Sequence, residues 1–199
     1  MSSEYSSTVA EIVRKLEVRQ PIPPLVPEQE WDGDLTRRLK NIPIDVLFDG
    51  QSVKDAALGT AVQSGLLLWN DALGISHTLS QQIENKTGSY WHGIMHRREP
   101  DYSNAKYWFG RVGGHPIDPV LRKRVLDLLT ERPSPSARLA NYAQAIQQKD
   151  NWDAFQFVDW CQAAAQDLST PQDVIEFLQT VQVEEIKLLL DYSYRHALG

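Results

Sequence analysis

What most constrains this chain is the spacing of its apolar residues, which keep returning at intervals of three and four. Val9, Ile12, Val13 and Leu16 fall at i, i+3, i+4 and i+7. That spacing predicts a helix with Ser7 or Thr8 as its N-cap. From Ser52 a second run begins, with Val53, Ala56, Ala57, Thr60, Ala61 and Ser64 as a small-residue face that admits a close neighbour. Leu68, Ala72, Ile75, Leu79 and Ile83 keep the same spacing up to a turn at Asn85–Gly88. Asp118-Pro119 reads as a cap and first-turn pair opening a helix that Pro133 closes. Ser136 and Asn151 start further helices, the second with Ala154, Phe157, Val158, Cys161, Ala164 and Ala165 on one face. Thr170-Pro171 starts another. The pattern ends with Ile186, Leu189, Leu190, Ser193 and Ala197, and Arg195 and His196 lie in a last turn that favours positive charge. Only IPIDVLFDG (42–50) reads as a short strand, and it has no partner.

These runs predict an all-α fold, a compact irregular domain of roughly eight or nine helices spanning residues 1–199. Residues 1–30 form an N-terminal helix and a Pro-rich arm packing on the body. Four prolines within residues 20–27 forbid a helix interior there, while Ile22, Leu25 and Val26 give the arm something to bury.

Composition narrows the partners. With 20 basic and 26 acidic residues the net charge is -6, so a broad phosphate-binding surface and a nucleic-acid partner are not expected, while a local cationic pocket is allowed. The longest apolar stretch, SGLLLWNDALG, is broken at Asn70 and Asp71, so no membrane span is expected. Cys161 is the sole cysteine, which suits a reducing compartment. The N-terminus carries an early acid and no signal-type apolar core. The expectation is a cytoplasmic protein with a small-molecule ligand; a homodimer is compatible with it.

Chemistry concentrates in SYWHGIMHRREPDYSNAKYWFGRVGGHP, residues 89–116. Ser89 is a candidate cap for a short helix on which His92 and His96, four residues apart, face the same way. Together they can chelate one divalent metal ion or move protons. The zinc-protease pattern is absent, because Gly93 stands where its glutamate would follow the first histidine. Glu99 completes a His, His, carboxylate set, although Pro100 pushes it off the helix axis. Gly93 points to close approach by a neighbouring helix or a ligand. Arg97 and Arg98 can clamp an anion through forked hydrogen bonds, or pair internally with Glu99 and Asp101.

Asp101 or Ser103 caps the next helix, which Gly113 or Gly114 ends. On it Asn104, Trp108 and Arg111 share a face, an amide, a flat ring and a guanidinium in line, suited to a planar polar ligand. The Gly113-Gly114-His115-Pro116 turn lets His115 fold back toward His92 and His96 as a third ligand or general acid/base; the alternative is a solvated turn histidine. Asn70, His77, Gln81 and Glu84 form a polar stripe that reads as solvated, or, if buried, as the pocket's other wall. Cys161 reads as a small core hydrophobe, and Trp152, Phe155 and Trp160 as structural.

The same run resembles hypothetical proteins of bacteria and some fungi that share the pattern WH-x-I-x-HRRE-x-D-x-x-NA-x-YWF-x-RVG-x-HP, over roughly the middle of the chain. The group carries no assigned activity, so the resemblance implies no catalytic role.

The candidate set is therefore His92, His96, His115 and Glu99 for catalysis, with His92 and His96 as metal ligands. Arg97, Arg98, Asp101, Asn104, Trp108 and Arg111 are the candidates for binding a small anionic or planar ligand. The rival expectation is a non-enzymatic interaction protein in which the segment is a buried structural network.

Overall fold

The computed structural model describes residues 5–132 and 136–199. Among them lie eleven α-helices and no strand, two or three helices more than the spacing predicts. The excess arises between residues 33 and 47, where α2 (Gly33–Asn41) and α3 (Ile44–Leu47) form. The stretch read as a lone strand thus contains a helical turn. Pro43 presets its entry, and Asp49 and Gly50 close it at φ 51° and 74°.

Capping decides the other boundaries. α1 (Ser7–Glu17) is capped by Ser6, not Ser7 or Thr8; those two hydroxyls bind Asp49 instead. α4 (Ala56–Trp69) starts after Asp55 rather than at Ser52. The apolar spacing that runs on past Leu68 is interrupted at Asp71, whose φ of 64° turns the chain into α5 (Leu73–Ser80). α6 (Lys86–Arg98) is capped by Asn85, which accepts the Gly88 N–H, so the expected turn at 85–88 is its first turn and Ser89 lies inside it. α7 (Tyr102–Val112) is capped by Asp101 and ended by Gly113 at φ 68°.

In α8 (Asp118–Thr130), Asp118 is the first helical residue rather than the cap, and its carboxylate turns back to accept the His115 N–H. Pro133, expected to close this helix, lies outside the described residues. α9 (Ala137–Gln147) is capped by Ser136, and α10 (Ala154–Gln166) by Asp153 rather than Asn151. The last two apolar runs merge into one 27-residue helix, α11 (Gln172–Leu198).

Two apolar clusters fill the interior. The larger unites α1 to α7 with the C-terminal half of α11. The smaller gathers α8, α9, α10 and the N-terminal half of α11, with Leu25 of the arm. The arm is held by polar contacts as well: the Pro24 carbonyl accepts from Arg98 and from Gln182. No described helix is long and apolar enough to cross a membrane. From Thr87 to Arg98, α6 is buried on every side, so its polar side chains must find partners within the protein.

Candidate metal centre

His77 sits on α5; His92 and His96 sit one turn apart on α6. Their rings converge. Centroids are 4.7 Å apart for His77–His92, 5.2 Å for His77–His96 and 4.8 Å for the stacked His92–His96 pair. One donor nitrogen from each lies within 4.8 Å of the others. A tetrahedral zinc-type ion with bonds of ~2.0–2.1 Å needs its donors roughly 3.3 Å apart, so these donors would draw closer on binding one.

His77 is the member absent from the candidate ligands, offered only as part of a stripe that is solvated or forms the pocket's other wall. Its polar stripe divides: Gln81 and Glu84 are exposed, whereas Asn70 is buried and donates to the Asp32 carbonyl and to Thr36. His77 is half-buried against α6. No periodicity links positions on two different helices; the shared residue type was the one available signal.

α7 forms the far wall. Trp108 stacks on His92 with centroids 3.9 Å apart and planes 16° apart, and the Arg111 guanidinium lies 5.2 Å from the Trp108 ring. Trp108 therefore backs a histidine instead of offering a free face to a planar ligand. Asn104 Nδ2 lies 3.2 Å from His96 Nε2. With the amide donating, the His96 ring proton sits on Nδ1, facing Glu99 at 3.3 Å and Asp101 at 4.0 Å. Both acids stand at the exposed rim. The Asp101 carboxyl is held below its ordinary range, first by the Asn104 backbone N–H it caps.

Burial sets the protonation of the imidazoles. It pushes the His92 pKa down to about 3, with His96 and His77 adding repulsion. It lowers His96 as well, helped by His77 and opposed by Glu99 and Asp101. Both rings are neutral at pH 7, the form that coordinates metal. Nδ1 of His92 is buried with no hydrogen-bond partner.

Three expected members stand elsewhere. Arg97 and Arg98 point into the interior, only 1% and 0% exposed. Arg97 pairs with Glu185 of α11 at 2.5 Å and lies over Phe157; Arg98 pairs with Asp71 at 2.5 Å and donates to the Leu68 and Pro24 carbonyls. Neither pairs with Glu99 or Asp101, because α6 ends at Arg98 and the chain carries both acids away to the rim. His115 is buried but does not reach His92 or His96. It contacts Thr87, Tyr90 and Tyr192. Tyr90 is two residues from His92 on α6, about 200° around the axis, so His115 lies on the opposite side of that helix.

Gly93 is explained by packing: a Cβ there would meet the Phe109 ring at 3.1 Å. Cys161 is buried, and burial raises its thiol pKa to about 12. Comparison with protein-family models, with curated proteins and with solved structures returns no match.

Proposed function

We propose that this chain binds one divalent transition-metal ion through His77, His92 and His96 and uses it to hold a small anionic ligand. The observation that carries the reading is the convergence of three imidazoles from two helices, their donor atoms within 4.8 Å of one another. Imidazole suits zinc, copper, nickel and iron. Three neutral ligands leave the ion's charge uncompensated, so a further position takes water, hydroxide or an anion. Glu99 and Asp101 beside His96 Nδ1 match the carboxylates that orient metal-binding imidazoles, with Nε2 exchanging the Asn104 amide for the ion. Glu99, Asp101 and the half-exposed Asn104 are polar groups beside His96, while Arg111 lies against the Trp108 ring. The buried lone cysteine suits residence in a reducing cytoplasm.

The test is metal content by mass spectrometry after zinc or cobalt loading and desalting, together with the visible spectrum of the cobalt form. The expected result is one ion per wild-type chain, lost in His92→Ala and in His77→Ala. A wild type that retains no ion, or variants that retain as much, would overturn the reading.

A second reading is favoured by the buried Arg97–Glu185 and Arg98–Asp71 pairs. In it the segment is a polar network that fixes helix packing in a non-enzymatic interaction protein. It predicts that His96→Ala and Arg111→Ala lower thermal stability in metal-free protein while zinc stabilises neither them nor the wild type.

A further inference from the structure

On the side of α6 away from the three histidines, a cavity of about 730 Å³ opens between the first turn of α6, the 113–119 connection and the C-terminal part of α11. Lys86, Thr87, His115, Asp118, Trp152 and Tyr192 are among its walls. Two of these carry charges without counter-ions. Asp118 is partly buried, and its one described partner is the His115 backbone N–H at 2.7 Å. No cation pairs with it among the described residues. Lys86 Nζ donates to the Gly114 carbonyl at 3.2 Å, a neutral acceptor, and likewise has no ion pair.

The two charges influence each other, since Lys86 pulls the Asp118 pKa down, yet they are not in ion-pair contact. Burial outweighs that pull and, with buried Glu185 adding repulsion, pushes Asp118 up to about 6. It is still mostly ionised at neutral pH, and an incoming cation would relieve the cost of that charge. On the Lys86 side, the first turn of α6 adds backbone N–H groups and the positive end of a helix dipole. His115 is neutral, its pKa lowered to about 4 by burial and by Lys86 and His196. Trp152 and Tyr192, the latter stacked on His196 at 4.0 Å, add aromatic surface to the walls.

A ligand that answers all of this carries an ammonium and a carboxylate a few ångströms apart. We propose that the cavity binds a small zwitterion of the free amino-acid type, its ammonium at Asp118 and its carboxylate at Lys86, independently of the metal centre.

The experiment is a thermal-shift screen of the full chain against the common amino acids at millimolar concentration, followed by calorimetry on the best. The matching amine without a carboxylate and the matching acid without an amine serve as controls. At least one amino acid should raise Tm, and each control should bind about tenfold more weakly or worse, a difference of about 1.4 kcal/mol or more. Asp118→Asn should remove the response. Lys86→Met, a change at an exposed side chain, should weaken binding by about tenfold even if the Asp118 variant folds poorly. His92→Ala should leave the response intact, which separates this site from the metal reading. The proposal is overturned if no amino acid shifts Tm, if Lys86→Met binds as wild type does, or if the amine alone matches the amino acid.

Discussion

At the scale of single residues, protonation is the property with the most direct consequence. An unfolded histidine takes its proton near pH 6.5, whereas folded His92 takes it only near 3. Between those values the unfolded chain binds more protons, so stability falls as pH falls through that window. His115, lowered to about 4, acts in the same direction. Asp118 acts oppositely: raised from 3.8 to about 6, it binds its extra proton in the folded state, and its penalty is present above pH 6 and gone below about 4. In metal-free protein, Tm should fall from pH 7 to pH 5, and His92→Ala should flatten that slope. Asp118→Asn should raise Tm at pH 8, with the gain shrinking as pH drops toward 4. Thermal melts across this range check both; a slope unchanged in His92→Ala would contradict a buried neutral imidazole.

At the scale of the element, α6 shows how helix contacts select residue size. Gly65 on α4 faces the Trp91 ring, and a Cβ there would lie 2.6 Å from two ring carbons. Trp91 cannot retreat, because it is fully buried and its indole N–H donates to Ser193 of α11. Gly65→Ala should therefore destabilise by about 1–3 kcal/mol despite alanine's better helix propensity. Urea unfolding measures it, and an unchanged or raised midpoint would refute the close approach. The boundaries of α6 were half legible. Asp101 or Ser103 and Gly113 or Gly114 bracketed the following helix, of which the structure uses Asp101 and Gly113, but Asn85 looked like part of a turn. A cap and a turn use the same residue, and only the direction of the chain after it tells them apart.

At the scale of the whole molecule, α6 is tied to α11 and to the arm by buried charge. Glu185 is 0% exposed and accepts from Arg97 and from the Tyr90 hydroxyl, 88 and 95 residues away in sequence. Glu185→Ala would leave the Arg97 guanidinium charged and unpaired in the interior, a loss of about 3–5 kcal/mol in urea or thermal unfolding. A loss under about 1 kcal/mol would mean that water reaches Arg97 and that the pair is not buried as described. Arg98 closes a second link, joining Asp71, the end of α4 and Pro24 of the arm.

By itself the sequence determined the helical class, the arm, and the common face of His92 and His96, because each follows from neighbours within a turn or two of the chain. It also marked residues 89–116 as chemically dense. Tertiary structure alone decided which of those groups meet. It brought His77 across from another helix, covered Trp108 with His92 and Arg111, and turned Arg97 and Arg98 inward to acids far along the chain. It also sent His115 to the other side of α6. The reason is physical: periodicity records which way a side chain leaves its own helix, whereas a site depends on which helix packs there, and that is settled by burial and charge pairing over the entire fold.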